Sequence, residues 1–227
     1  MINRKIFLDC GANKGQSINA FLREFPDSKE FEIFSFEPGK SEEILSSLYS
    51  YKSEKIKIFN SAVDIQDGYN KFYDSGDTSS SLIDRNRTKN IIKVPTISLS
   101  KFILENFDKK DHIILKLDIE GAEYNVIDDL VKKGIFSFIN IFFAEIHGSK
   151  TGKSLSDSIN LINKVNSSGH KIYEWEAKDF KYDNFKQNYY TIEKIKLYHA
   201  KWDKKYPKQN LLLKVKKIYW KILNVFN

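Results

Sequence analysis

The sequence has few of the features that mark secreted or membrane-spanning proteins. Its 227 residues include one cysteine, Cys10, so no disulfide can form within the chain. No uncharged apolar run approaches the roughly 20 residues that a membrane-spanning helix needs. The polar residues Asn3, Arg4 and Lys5 lead into a short apolar stretch, which is not the pattern of a secretory leader. These absences exclude a disulfide scaffold and favour a cytoplasmic protein.

The composition is that of a folded domain with an excess of positive charge. Hydrophobic residues make up 41% of the chain and charged residues 30%, which is typical of a globular protein with a full core. The net charge of +7 is compatible with a nucleic acid, an anionic membrane or another acidic partner. Because lysines crowd from Lys194 onward, we attribute much of this excess to the last part of the chain.

One stretch near the N-terminus, IFLDCGANKG, has the pattern of a buried strand that enters a helix through a tight turn. Ile6, Phe7 and Leu8 form the apolar run, and Gly11 and Gly15 bracket the turn. Such a turn directs backbone N–H groups and the positive end of a helix dipole toward an anion. The stretch therefore predicts an anion-binding turn at the end of the first strand.

The spacing of this turn excludes two common nucleotide motifs. A phosphate loop needs Gly-Lys followed by a hydroxyl residue, whereas the order here is Lys14-Gly15-Gln16. A dinucleotide turn needs a second glycine where Ala12-Asn13 stands. An acid before the turn could instead hold an ammonium while the turn holds a carboxylate, which fits the methionine half of S-adenosylmethionine. An ordinary strand-to-helix turn is the alternative.

Strands and helices alternate along the rest of the chain, which predicts an α/β fold with a mainly parallel sheet and helices on both faces. An Asp67-Gly68 turn before residues 69–74 predicts a hairpin or an edge strand. Ser98 is a plausible helix N-cap. The predicted later strands are 31–37, 55–60, 91–95, 112–118, 137–146, 170–175 and 187–192, and the predicted later helices are 41–51, 99–106, 122–131 and 155–165.

Five polar residues stand at the ends of predicted strands. They are Asp9, Glu37, Asp118, Glu145 and His147. Parallel sheets bind ligands outside the carboxyl ends of their strands, so we expect these side chains to converge on one functional crevice. An acid at the end of the second strand commonly binds the hydroxyls of a ribose, and Glu37 has that position.

The chain resembles the FkbM family of S-adenosylmethionine-dependent methyltransferases. The matching motifs occur in the family's order between Ile6 and His147, about two thirds of the chain, and LKLDIEGAE is the most diagnostic of them. The others are LDCGANKG, SFEP, SAVDIQDG, TSSSL, VPTISLSKF, the extension YNVI of the LKLDIEGAE segment, and FAEIH. The resemblance implies a seven-stranded Rossmann-like class I methyltransferase fold and methyl transfer to an oxygen, often a sugar hydroxyl of a glycan or natural product.

The resemblance also implies which residues bind the cofactor, S-adenosylmethionine. The glycine turn would hold its methionine part, Glu37 its ribose, and residues 62–63 would flank its adenine, with the role of Asp64 open because the family more often has glycine there. Ser80, Ser81 and Asp118 would close the cavity on the side where the cofactor binds. The expected cofactor-binding residues are Asp9, Gly11, Ala12, Asn13, Gly15, Gln16, Glu37, Ala62, Val63, Ser80, Ser81 and Asp118.

Methyl transfer to an alcohol needs a base, and His147 is our first candidate because its ordinary pKa suits the task. Glu145 could orient it, and Asp118 and Glu120 are rival bases. The structural alternatives are that His147 only hydrogen-bonds substrate or backbone and that Glu120 is a helix-N-terminal acid. Asp118, Glu120, Glu145 and His147 could together hold a hard cation, but they lack dedicated ligand spacing, so we expect no required metal.

The expected domains are a methyltransferase catalytic domain over residues 1–193 and a basic, amphipathic helical extension over residues 194–227. Leu211 to Phe226 places apolar residues on one helical stripe beside lysines. Such a helix could lie at the inner face of a membrane, which would suit a lipid-linked glycan acceptor, or dock on its own domain or on another subunit of an oligomer. The competing functions are a nucleic-acid (RNA ribose) methyltransferase, against which the concentration of lysines in the tail argues, and a non-catalytic cofactor-binding scaffold.

Overall fold

The main sheet has six parallel strands with helices on both faces, which confirms the predicted α/β fold. The computed structural model describes residues 3–39, 41–48, 55–74, 80–83, 90–148, 151–175, 178 and 180–205. In chain order the strands are β1 Lys5–Cys10, β2 Glu32–Phe36, β3 Ile56–Phe59, β4 Ala62–Asp64, β5 Gly68–Asp74, β6 Asn90–Ser98, β7 His112–Leu117, β8 Ile139–Ala144 and β9 Tyr173–Glu174. The main sheet has the order β3-β2-β1-β7-β8-β9.

The two central strands, β1 and β7, are apolar on both faces because helices cover both. Ile6 and Leu8 of β1 pack with the helices of one face, whereas Phe7 packs with those of the other. The first group is α3 Leu99–Asn106, α4 Glu123–Lys132 and α5 Leu155–Ser167, and the second is α1 Gln16–Glu24 and α2 Ser41–Ser47. A parallel sheet buried on both faces explains the near-continuous apolar runs of the sequence.

A second, three-stranded sheet forms a separate layer of the fold. Strand β6 lies in its centre, parallel to β4 and antiparallel to β5. The Asp67-Gly68 turn therefore makes no hairpin, because the segments on its two sides pair with β6 and not with each other. The alternative, that residues 69–74 form an edge strand, is confirmed by β5.

The last strand that we predicted, at residues 187–192, is reduced to a bridge. The main sheet therefore has six strands, whereas the family resemblance implied seven. The segment Tyr182–Gln187 is a 3₁₀ turn, Tyr189 makes an isolated antiparallel bridge to Tyr173, and α6 Ile192–Lys205 begins directly afterwards. Because β9 has only two residues, it offers little edge for a further strand to extend along. The expected pairing is limited to two backbone hydrogen bonds. They run from Glu174 N to Asn188 O (2.8 Å) and from Tyr190 N to Ile172 O (2.9 Å).

Helix α5 begins with a capping box. The Ser154 hydroxyl accepts a hydrogen bond from Asp157 N at 3.1 Å, and Asp157 Oδ2 accepts one from Ser154 N at 2.7 Å. We expect Ser154→Ala to lower the free energy of unfolding by about 1 kcal/mol, because it leaves an N-terminal N–H group without this acceptor. Urea unfolding with Ser167→Ala, an exposed serine in the last turn of α5, as control measures the difference. Equal effects of the two substitutions would contradict the role of the cap.

The start of the predicted C-terminal extension lies in α6, which packs on α5. Ile195 is buried there, and His199 Nε2 lies 2.9 Å from the Ser158 hydroxyl of α5. The predicted amphipathic stripe from Leu211 to Phe226 lies outside the described residues. Of the helices that the structure describes, none is both long enough and apolar enough to cross a membrane.

Candidate functional site

A cavity of about 300 Å³ opens at the carboxyl ends of the central strands. This is where the strand-end rule places a ligand, and the volume is at the lower end of the range for small-molecule pockets. The second sheet contributes one wall and the main sheet the floor. The residues that line the cavity are Gly11, Asn13, Phe36, Glu37, Pro38, Ala62, Val63, Phe72, Ser80, Leu82, Asp118, Ile119, Glu120, Ala122 and Glu145.

Gly11 lies at the floor of the cavity, between the ends of β2 and β7. Its N–H donates to Phe36 O at 2.9 Å, and its φ angle is +83°, in the left-handed region. A Cβ atom at this position would lie 1.8 Å from the backbone oxygen of Asp118. Only glycine satisfies both conditions, so the turn requires this residue.

A buried ion pair between Asp9 and Lys116 lies beneath the turn. Lys116 is 1% exposed, and its Nζ lies 3.2 Å from Asp9 Oδ1 and 3.6 Å from Asp118 Oδ2. The same ammonium donates to the backbone oxygen of Gly11 at 2.7 Å, and Ser17 Oγ donates to Asp9 Oδ2 at 2.6 Å. Burial disfavours the ammonium, but the two carboxylates outweigh it and raise the pKa of Lys116. Asp9 therefore supports the turn from below.

Glu37 holds the other side of the same turn. Its Oε2 accepts a hydrogen bond from Asn13 N at 2.9 Å, and the side chain is buried while lining the cavity. Asn13 itself has a positive φ of 51°. This contact joins the end of β2 to the turn after β1, so the position that we predicted to bind a ribose also helps to shape this turn.

The second sheet and a short serine segment close the opposite wall. Ala62, Val63 and Phe72 come from β4 and β5 and present apolar surface to the cavity. The Ser81 hydroxyl donates to the backbone oxygen of Glu120 at 2.9 Å and so ties this wall to the end of β7. Ser80 lines the cavity, and its hydroxyl donates to Asp74 Oδ1 at 2.9 Å. An apolar wall of this kind can pack against the face of an aromatic ring.

Four carboxylates surround the buried imidazole of His147. We call Asp118, Glu120, Glu123, Glu145 and His147 the carboxylate–histidine cluster. His147 Nδ1 lies 2.9 Å from Glu123 Oε1, and its Nε2 faces the other three acids. The Nε2 distances are 3.0 Å to Glu145 Oε1, 3.4 Å to Glu120 Oε2 and 3.9 Å to Asp118 Oδ1.

These contacts shift the pKa values of two groups in the cluster, His147 and Asp118. Burial disfavours the charged imidazole, but Glu123, Glu145 and Glu120 outweigh it and raise the pKa of His147 well above its ordinary value. Burial, with the neighbouring Glu145 and Glu120 charges, raises the pKa of Asp118 to about 6, although Lys116 and His147 act in the opposite direction. His147 is 2% exposed and does not line the cavity, whereas Asp118, Glu120 and Glu145 do.

The structure adds Glu123 and Lys116 to the residues that we predicted. Glu123 Oε1 accepts from Ile119 N and Gly121 N, both at 3.0 Å, and so shapes the loop after β7. Each residue carries a signal in the sequence. Glu123 occupies the buried stripe of α4 with Val126, Ile127 and Leu130, and Lys116 interrupts an apolar strand. A charge on a buried face needs a partner, so such a position in a sequence indicates an ion pair or a site.

The structure brings together most of the predicted site residues. Those that line the cavity are Gly11, Asn13, Glu37, Ala62, Val63, Ser80, Asp118, Glu120 and Glu145. Asp9, Ala12, Gly15, Gln16, Ser81 and His147 are not among the lining residues. Gly15 begins α1 with a φ of +85°, and Gln16 Oε1 accepts from Lys14 N at 3.0 Å, so both shape the turn from its outer side.

A family model described as the methyltransferase FkbM domain matches residues 9–183, which is more than half of the chain. The matched range contains every residue that lines the cavity and all five members of the carboxylate–histidine cluster. No curated protein and no solved structure matches the chain.

Proposed function

Since the chain belongs to the FkbM methyltransferase family, we propose that it is an S-adenosylmethionine-dependent O-methyltransferase whose acceptor is a hydroxyl of a sugar, glycan or glycoconjugate. The observation that supports this proposal most directly is the cavity itself. It joins an anion-binding glycine turn and an apolar slot on one side to three carboxylates on the other. The first side suits a nucleoside-bearing cofactor and the second a hydroxyl-rich acceptor.

The residues of the cavity fit the cofactor. Gly11 lets the turn pass directly against the backbone of Asp118, and the N-terminus of α1 favours a carboxylate such as that of the methionine part. Glu37 can accept hydrogen bonds from ribose hydroxyls, and Ala62 and Val63 offer apolar surface to an adenine. When bound, S-adenosylmethionine supplies the electrophilic methyl group on its sulfonium.

The chain's own task is to orient the acceptor and to take its proton. The structure favours a carboxylate over His147 for direct contact, because His147 is enclosed and does not line the cavity. Glu145 is the most exposed carboxylate of the cluster, with 37% of its side chain exposed, and we assign it the acceptor's proton. His147 Nε2, 3.0 Å away, stabilises the negative charge of this carboxylate.

The charge of the cavity favours a neutral sugar over a nucleic acid as acceptor. The charged side chains among the described lining residues are Glu37, Asp118, Glu120 and Glu145, and all of them are acidic. Carboxylates accept hydrogen bonds from vicinal hydroxyls but repel phosphate groups. The positive net charge of the chain therefore does not extend to the cavity wall where the acceptor would bind.

Calorimetry with S-adenosylmethionine and S-adenosylhomocysteine tests the cofactor assignment. We expect Glu37→Gln to weaken binding of both by about tenfold or more, equivalent to about 1.4 kcal/mol, because charge-assisted hydrogen bonds to the ribose are lost. Glu32→Gln is the matched control, since Glu32 lies at the opposite end of the same strand and pairs with Arg4. Unchanged affinity in Glu37→Gln would remove Glu37 from the cofactor site, and no binding to the unmodified protein would overturn the proposal.

Detection of a methylated product tests the acceptor class. We expect neutral sugars and glycans, incubated with S-adenosylmethionine and the protein, to gain a methyl group detectable by mass spectrometry. RNA serves as the competing acceptor in the same assay. Methylation of RNA with none of the saccharides would contradict the acceptor that we propose while leaving the cofactor assignment intact.

A further inference from the structure

The carboxylate–histidine cluster has the arrangement of a cation site. Three acids from two parts of the chain, Asp118, Glu120 and Glu145, approach one imidazole nitrogen, His147 Nε2. Spacing along the chain gave us no reason to expect a metal. The fold changes this interpretation, because it brings the ends of β7 and β8 together and places these donors around one point.

The strongest indication is the state of His147 Nε2. This atom is buried and has no hydrogen-bond partner in the described structure, although Glu145 Oε1 lies 3.0 Å away. The Nε2 atom and the nearby carboxylate oxygen are therefore close without the geometry of an N–H···O bond. A buried polar atom without a partner is costly, and a bound ion can remove that cost by accepting the lone pair of the nitrogen.

Two of the three distances from His147 Nε2 to the acids match those between neighbouring donors around a metal ion. In octahedral coordination with bonds of about 2.1–2.4 Å, neighbouring donor atoms lie about 3.0–3.4 Å apart. The distances from His147 Nε2 to Glu145 Oε1 and Glu120 Oε2 are 3.0 Å and 3.4 Å, and that to Asp118 Oδ1 is 3.9 Å. The Asp118 oxygen lies beyond this range and would have to move closer to Nε2 to share the ion.

Glu123 has the position of the residue that orients a histidine ligand. Its Oε1 lies 2.9 Å from His147 Nδ1 and accepts from Ile119 N and Gly121 N. Because a carboxylate only accepts hydrogen bonds, Nδ1 carries a proton, and an ion that binds Nε2 would replace the second proton of the imidazolium there. Carboxylates in this position fix the tautomer of metal-binding histidines in many proteins.

We propose that His147 Nε2, Asp118, Glu120 and Glu145 bind a divalent cation, with Glu123 orienting the histidine. Three carboxylates and one imidazole suit a hard or borderline ion with octahedral preference, for which Mn²⁺ is a suitable probe. Three of the four ligands line the cavity, so the cation is accessible to an acceptor oxygen. Only this last role rests on the proposed function; the cation site itself does not.

Binding of Mn²⁺ alone to the full chain, measured by electron paramagnetic resonance and calorimetry, tests the proposal. We expect one site, and we expect modulation from a coordinated ¹⁴N nucleus in the electron spin echo of the bound ion. His147→Gln should abolish the nitrogen signal. A second variant keeps the test valid if His147→Gln does not fold. Glu120→Gln changes a partly exposed side chain and should lower the affinity for Mn²⁺ at least tenfold.

Glu105→Gln is the control, since Glu105 is an exposed acid in the last turn of α3, before the chain enters β7 at the end opposite the cluster. Absence of Mn²⁺ binding, binding without nitrogen coordination, or equal affinity of the Glu120→Gln and Glu105→Gln variants would each overturn the site. Calorimetry of S-adenosylhomocysteine without metal separates the two proposals. If S-adenosylhomocysteine binds and Mn²⁺ does not, only the cation site is contradicted. If Mn²⁺ binds and S-adenosylhomocysteine does not, only the proposed methyltransferase function is contradicted.

Discussion

Replacing Gly11 with alanine is expected to destabilise the protein strongly or to prevent it from folding. The new Cβ would lie 1.8 Å from the backbone oxygen of Asp118. Because the clashing atom belongs to the backbone, no side-chain rotation can relieve this overlap. The φ angle of +83° adds strain that alanine does not tolerate well. We expect a loss of about 4 kcal/mol or more in the free energy of unfolding, or no folded protein.

Gly169→Ala separates the clash from the backbone strain. Gly169 has a φ of +84°, and a Cβ atom there would have no atom within 4 Å. This variant should lose only about 1–2 kcal/mol, the usual cost of a left-handed conformation for an L-residue. Chemical unfolding of both variants measures the difference, and calorimetry with S-adenosylhomocysteine reports on the turn in whatever folded Gly11→Ala protein is obtained. Equal losses in the two variants would mean that the β1 turn can move away from β7.

The strand-end rule is the part of the sequence argument that predicts most of the site. Glu37, Asp118 and Glu145 are more than a hundred residues apart at the extremes, yet each follows an apolar strand and each lines the same cavity. Parallel strands must end at one edge of the sheet, so strand identity alone is sufficient to bring these residues together. No knowledge of side-chain packing is required.

The roles of individual side chains could not be predicted in the same way. The sequence places Asp9 at a strand end as well, but it does not show that the neighbouring strand supplies Lys116 to pair with it. This pairing depends on register, since Asp9 lies opposite Lys116 only in the observed alignment of β1 and β7. Likewise, the position of His147 behind the carboxylates depends on how Glu123 enters the core from α4.

The division of the strands between two sheets could not be predicted from periodicity either. Alternation identifies β5 and β6 as strands but does not say which neighbour each will choose. Because β4 pairs with β6, the chain leaves the main sheet after β3 and builds the cavity wall that carries Ala62 and Val63. The second sheet is therefore a result of tertiary pairing that only the folded chain reveals.

Replacing Lys116 with methionine is expected to destabilise the protein by about 3–5 kcal/mol, because it leaves the buried Asp9 carboxylate without its countercharge. Methionine keeps most of the side-chain volume, so a cavity is not the main cause. The loss of the hydrogen bond to the Gly11 oxygen should also loosen the turn. We therefore expect weaker binding of S-adenosylhomocysteine in addition to lower stability, measured by calorimetry and urea unfolding.

Two further variants show whether charge is the cause. Lys101→Met removes an exposed lysine that pairs with Asp67, and such surface pairs contribute little to stability. The double variant Asp9→Asn with Lys116→Met removes both buried charges and should recover at least about 1 kcal/mol of the loss, since an amide costs less to bury than an ion. If the double variant were instead less stable than Lys116→Met alone, the ammonium would act mainly through its hydrogen bonds to the turn, and Asp9 would stabilise the fold through Ser17 without needing a countercharge.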